Sequence, residues 1–320
     1  MAVTKRLPSN FIQKSFWYTA ILYQKVLKTR YIITDAHKLS TNILIFAVLY
    51  NMYVCNRTLS LLYYKKLTEK GYEQKGGAAM AWFFTDEVFE DTVEITGEDA
   101  RHIIKSLRME AGEQITLCSP DSIQHTCAIE TIAHDCVVAK VLESRPCQNE
   151  PSVQVTLYQA LPKGDKMDLI VQKAVELGVY KIVPVLTQRC VSRPDEKALF
   201  KKCMRWQKIA RNAAQQARRG MIPKIEPTRT FTQAVQCSGA YDRTILFYEC
   251  GGKRVGDILQ PADRSIAIFI GSEGGFTPEE AALIQANRGE AATLGKRILR
   301  AETAPLAALS VIMYTTGNFA

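Results

Sequence analysis

The sequence is poor in histidine, with four in 320 residues and none from Pro151 to the C-terminus. A histidine general base is thereby excluded from the C-terminal half. The nine cysteines form no C-x-x-C pair and no tight Cys/His cluster; no metal is expected, and an odd, scattered set fits reduced thiols in a cytoplasm. No apolar run reaches the roughly 20 residues of a membrane span. The longest, Ile43-Leu-Ile-Phe-Ala-Val-Leu-Tyr50, lies too far inside the chain for a signal peptide and has no small-residue cleavage site after it. Its flanking lysines leave a membrane-surface tether, resting on residues 31–64, as one reading; no helical apolar stripe supports it, and no membrane is expected. Two nucleotide fingerprints are missing as well. There is no G-x-G-x-x-G and no Lys-Ser/Thr behind a glycine loop, which removes the dinucleotide and P-loop readings.

The net charge is +9, but the excess is local: residues 1–79 carry 12 Lys+Arg against 3 Asp+Glu, and the rest of the chain carries 29 of each. Overall charge therefore argues nothing about nucleic acid for residues 80–320. Residues 1–79 differ from the rest in composition, and Lys75-Gly-Gly77, which a purine-rich ribosome-binding sequence can encode, stands just before Met80. We read 1–79 as a basic extension produced by a start assigned too early. Peptides from before Met80 in the endogenous protein, seen by mass spectrometry, would contradict that reading.

What is present is a pair of glycine-broken loops near the C-terminus. The apolar stretch 265–270 reads as a strand buried on both faces, as in parallel sheets. It ends in Ile270-Gly-Ser-Glu-Gly-Gly-Phe-Thr277, after which Thr277, Pro278 and Glu280 form a helix start of the capping-box type. Glu273 would repel a pyrophosphate and suits a ligand with hydroxyls or positive charge. The second loop, Leu294-Gly-Lys-Arg-Ile-Leu-Arg-Ala-Glu-Thr-Ala-Pro305, follows a short apolar stretch and opens a last helix near Thr303 and Ala304. Two such strand ends belong side by side at the carboxyl edge of an open α/β sheet, where ligands bind. Ordinary turns of an α/β domain explain the residues equally well.

These loops, with Leu161-Pro-Lys-Gly-Asp-Lys-Met-Asp-Leu-Ile-Val-Gln-Lys-Ala-Val-Glu-Leu-Gly178 and Gln216-Ala-Arg-Arg219 upstream, resemble the bacterial RsmE family, SPOUT-class methyltransferases of N3 of a uridine in small-subunit (16S) ribosomal RNA. The likeness runs from Met80 to the C-terminus. It implies an α/β chain with a PUA-like β-barrel RNA-binding domain over 80–145 and a SPOUT methyltransferase domain over 152–320, closed by a C-terminal trefoil knot. It further implies a homodimer that takes S-adenosylmethionine and acts on 16S rRNA or the small ribosomal subunit. By motif match the cofactor falls to Leu246, Tyr248, Glu249, Gly271, Glu273, Gly274, Leu294, Gly295, Ile298, Leu299, Arg300, Thr303 and Ala304. RNA falls to Arg101, His102, Arg108, Lys163, Lys166, Lys173, Arg189, Gln216 and Arg219. The sequence departs from the family pattern at Trp82, where a basic residue is usual, at Gln215, where Glu is usual, and at Ser272 and Lys296, where proline is usual.

Short alternating stretches at 92–96, 114–118, 124–132 and 136–142 predict strands, interrupted by one helix over 98–109. The polar, proline-bearing stretch 144–151 reads as a linker. A helix over 165–177 directs Met167, Ile170, Val171, Ala174 and Leu177 inward. A longer one over 196–219 has a partial apolar stripe at Phe200, Met204, Ile209 and Ala213, and its Lys and Arg side chains are the best local footprint for RNA. Methyl transfer from a sulfonium to N3 needs alignment and a larger fraction of uracil anion. Arg300 is expected to stabilise that oxyanion, against the plainer role of an ion pair with Glu302. A SPOUT enzyme for another RNA, or a non-catalytic RNA-binding or ribosome-assembly protein, are the competing functions.

Overall fold

The structure, a computed structural model, describes residues 80–87 and 91–319; the expected extension, with its start-site and tether readings, lies outside the described residues. The N-terminal part is a curled five-stranded sheet. Its strands are β1 (Ala81–Phe84), β2 (Thr92–Thr96), β3 (Gln114–Cys118), β4 (Ile123–Ile132) and β5 (Cys136–Pro146), hydrogen-bonded in the order β1-β3-β4-β5-β2. Two register shifts between β4 and β5 bend the sheet. The helix expected over 98–109 is instead a short α1 (Gly97–Arg101) continued by a wider π-type turn, His102–Leu107. Arg108 ends it in the left-handed region at φ 53°, and Met109 N–H donates to Ile103 O at 3.1 Å.

The larger part is a parallel sheet built from β6 (Gln154–Ala160), α2 (Lys166–Glu176), β7 (Lys181–Leu186), α3 (Glu196–Gln216), β8 (Lys224–Ile225), β9 (Arg229–Thr230) and α4 (Phe231–Ser238). It continues through β10 (Arg243–Phe247), α5 (Val255–Ile258), β11 (Ser265–Ile270), α6 (Pro278–Ala286), β12 (Glu290–Ala292) and α7 (Ala304–Thr315). The strand order is β12-β10-β11-β6-β7-β8, with β9 also on β7. β11 is apolar throughout its interior and β10 holds one polar residue there, Thr244, whose hydroxyl donates to Ser238 O at 2.9 Å; both faces of these strands are covered. One face packs against α2, α3 and α7 through Ile170, Trp206, Leu309 and Ile312. The other packs against α4 and α6 through Phe231, Val235 and Ile284, where Tyr158 stacks on Phe269 with ring centroids 4.5 Å apart.

β1 joins the two parts. Alternate side chains of a strand point to opposite faces, so Phe83 enters the core of the small sheet while Trp82 and Phe84 enter the core of the large one. Charge and hydrogen bonds reinforce the seam: Arg211 donates to Phe84 O at 3.0 Å and to Asp99 at 2.9 Å, and Gln215 donates to Asp99 at 3.3 Å. A glutamate at 215 would face Asp99 with like charge, so the departure from the family pattern there suits this seam.

α3 corrects one expectation. Its buried face is Trp206, Ala210, Ala213 and Ala214, whereas Phe200 and Met204 are 67% and 59% exposed.

Candidate active site

All ladders of the large sheet are parallel, so the loops that follow β10, β11 and β12 emerge from one edge. The chain passes from β10 inward to β11, beside β6, and then outward to β12 on the far side of β10. Strand order thus reverses here, and a crevice opens between the strand ends. It is a cavity of about 570 Å³, bounded by Phe247–Glu249 after β10, 270–275 after β11 and 293–301 after β12, with Lys166 of α2 at its rim.

The loop after β11 is braced from four directions. Its helix start is the expected capping box, with Glu280 N–H donating to Thr277 Oγ1 at 3.2 Å and Thr277 N–H to Glu280 Oε2 at 3.0 Å. Glu280 Oε1 also accepts Gln188 N–H at 2.8 Å, which fixes the neighbouring loop after β7. From that loop Arg189 Nη1 donates to Gly274 O at 2.9 Å, and the buried Gln159 of β6 donates to Gly271 O at 3.3 Å. Gly275 sits at φ 65°, and a Cβ on it would run into the Glu249 carboxylate, so this turn requires glycine.

Glu273 projects across the rim. Its carboxylate accepts Lys166 Nζ at 2.7 Å and Lys163 N–H at 3.2 Å. Partial burial pushes the Glu273 carboxyl upward, but the Lys166 hydrogen bond and the backbone N–H groups outweigh it and hold the group below the ordinary glutamate value. The same hydrogen bond raises the Lys166 ammonium. The loop after β12 is more open: Gly295 is at φ 100°, Ile298 is 88% exposed, and the Arg300 side chain is 84% exposed with its nearest carboxylate, Glu302 Oε1, at 4.0 Å. Arg300 therefore has a charge available to a ligand, and its pairing with Glu302 is at the limit of range.

Comparison with known proteins agrees with this geometry. The RNA methyltransferase domain family matches residues 148–313, and the RNA methyltransferase PUA domain family matches residues 95–142. The ribosomal RNA small subunit methyltransferase E of Bacillus subtilis (strain 168) is 37% identical over 233 residues, covering 70% of this chain and 91% of that protein. The chain belongs to the ribosomal RNA small subunit methyltransferase E family. The family member from Neisseria gonorrhoeae, solved bound to S-adenosyl methionine, is 32% identical with a TM-score of 0.67, covering 73% of this chain and 97% of that one. A putative methyltransferase from Legionella pneumophila, in complex with the same cofactor, is 30% identical with a TM-score of 0.69, covering 74% and 98%. The small curled sheet is accordingly a PUA-like domain and the large unit a SPOUT methyltransferase fold.

Of the residues assigned to the cofactor from the family motif, Tyr248, Glu249, Gly271, Glu273, Gly274, Leu294, Gly295, Ile298, Leu299, Arg300 and Ala304 line the cavity. Leu246 lies behind it, wholly buried in β10, and Thr303 precedes α7 without lining it. Cavity residues to which the motif assigns no cofactor role include Lys296 and Arg297, whose position inside the second loop is the signal available.

The RNA set is scattered. Arg101, His102 and Arg108 are exposed on the PUA-like domain, Lys163 and Gln216 are exposed, and Arg189 is 45% exposed beside the first loop. Lys173 is paired with Glu176 at 2.8 Å. Arg219 is a correction: its side chain is only 3% exposed, forked onto Glu150 at 3.1 and 2.5 Å and donating to Val179 O at 2.6 Å. A guanidinium so enclosed is a structural tie and presents no donor to RNA.

Proposed function

We propose that this protein transfers a methyl group from S-adenosylmethionine to N3 of a uridine in small-subunit (16S) ribosomal RNA. One observation carries the reading: three strand ends of a family SPOUT fold meet around one cavity whose two long walls are the glycine loops. A volume near 570 Å³ lies within the range of small-molecule sites. The lining fits the cofactor's chemistry, with Leu294, Ile298 and Leu299 for an adenine ring, and Glu249 and Glu273 for hydroxyls and an ammonium. When bound, S-adenosylmethionine supplies an electrophilic methyl on a positively charged sulfur.

The chain's own residues orient and polarise. Gly271, Gly274 and Gly295 let the backbone approach the ligand closely. Arg300 stabilises the negative charge that spreads over the uracil oxygens as N3 gives its proton to solvent water. Arg101, His102, Arg108, Lys163, Arg189 and the lysines of α3 hold phosphate, and the target base has to leave its stack to reach the cavity. The domain limits 80–145 and 152–320, the C-terminal knot and a cytoplasmic location belong to the same reading. Among the described residues no helix is long and apolar enough to cross a membrane.

A homodimer is also part of it, supported by Val311, Tyr314 and Phe319, which are 39%, 77% and 50% exposed on and just after α7. Light scattering should give twice the chain mass. The function is tested with purified protein, labelled cofactor and small ribosomal subunits from cells lacking the gene. Label is expected in 16S RNA as N3-methyluridine, and its absence despite measurable cofactor binding would overturn the assignment.

A further inference from the structure

Lys166 belongs to neither glycine loop, yet its Nζ lies 2.7 Å from Glu273 Oε1 in the first and 3.6 Å from Glu302 Oε2 in the second. The turn before α2 holds the first loop a second time, because Glu273 also accepts the Lys163 backbone N–H. The two loops are unequally braced. The first is tied to β6, β7 and α6 through Gln159, Arg189 and Glu280. In the second, from Leu294 to Glu302, the hydrogen bonds among the described residues stay within the loop and its junction with α7: Gly295 N–H to Thr293, and Thr303 and Ala304 N–H to Arg300 O. The charge that crosses from it to the rest of the protein is Glu302, whose side chain is 18% exposed.

Glu302 Oε2 is buried and has no hydrogen-bond partner. A carboxylate oxygen shut away from water is unfavourable unless a donor reaches it. The Lys166 ammonium faces it, and a movement of about 0.8 Å would bring the pair to charge-assisted hydrogen-bond length. Lys166 carries several N–H donors on a flexible stem and can hold both carboxylates at once.

We propose that Lys166 is a positioning residue that pins the two glycine loops together across the cavity, with Glu302 as its buried anchor. Its charge is thereby used inside the cofactor site and not on RNA phosphate. The inference rests on that cavity being the cofactor site, and it deepens that reading by assigning Glu302 a part in the site although its side chain does not line the cavity.

The test uses the full chain with Lys166→Ala, Lys166→Arg, Glu302→Gln and the double variant Lys166→Ala/Glu302→Gln. Calorimetry measures S-adenosylmethionine affinity, and amide hydrogen exchange of the cofactor-free protein follows peptides covering 271–277 and 293–303. Lys166→Ala and Glu302→Gln should each weaken affinity roughly tenfold, and the double variant should bind no worse than either, as contacting residues do. Lys166→Arg should recover most of the affinity. Exchange in 293–303 should quicken in Lys166→Ala and Glu302→Gln alike, with the melting temperature nearly unchanged. Wild-type affinity and exchange in Lys166→Ala, additive losses in the double variant, or a change confined to the RNA KM would overturn the pin. If the wild-type chain binds no cofactor, the cofactor reading fails, while the exchange arm still decides whether Lys166 and Glu302 couple the loops.

Discussion

Arg219 and Arg300 carry the same charge with side-chain exposures of 3% and 84%, and that contrast separates their roles. Arg300→Ala should lower turnover at saturating cofactor by about 10²-fold or more, the usual scale for losing one oxyanion donor, with calorimetry showing that cofactor still binds; full turnover would refute its role. Arg219→Ala leaves the Glu150 carboxylate without its cationic partner and should destabilise the fold by about 3–5 kcal/mol, seen as a lower denaturation midpoint. The salt dependence of RNA binding should not change. Glu273 gives the pH prediction. Its folded value is depressed, so its contribution is present above the ordinary glutamate value and is lost as pH falls through the folded one. Exchange protection of 271–275 should hold from neutral pH to about 5 and decline below about 4.5. The sequence displayed the residue types at these positions. It did not show which cations were already engaged, because Glu150, Val179 and Glu302 meet Arg219 and Lys166 only after folding.

Among the elements, the helix start at Thr277 was legible because a capping box is a local device, complete within four residues. Thr277→Ala should cost about 1 kcal/mol of stability, measured by chemical denaturation. α3 was misread on one face for a physical reason. Three of its four buried residues are alanines, which carry little volume signal, so side-chain size points to Phe200 and Met204 although Trp206 marks the core. With those side chains outward, Lys197 and Lys201 lie on the same exposed surface. Replacing both lysines with alanine should lower the salt slope of RNA binding by about 2 and leave cofactor affinity unchanged, a comparison made by filter binding over a salt series. The π-type turn at His102–Leu107 was not foreseeable from periodicity, since an apolar pattern does not register a widened turn.

For the molecule as a whole, the uninterrupted apolar stretch 265–270 and two glycine-broken strand ends indicate the parallel sheet, and the order of the motifs supplies the family. The seam between the sheets was not visible in the sequence. Trp82, Phe84 and Cys118 sit in strands of the small sheet but pack in the core of the large one, an arrangement that depends on how the two parts meet. The proposed work of the cavity between the strand ends is methylation of a small-subunit uridine. Its most direct test is mass-spectrometric mapping of methylated uridines in 16S RNA from a deletion strain, alone and carrying the wild-type or Arg300→Ala gene. One N3-methyluridine is expected to disappear on deletion, to return with the wild-type gene and to stay absent with Arg300→Ala. An unchanged set of methylated uridines in the deletion strain would contradict it.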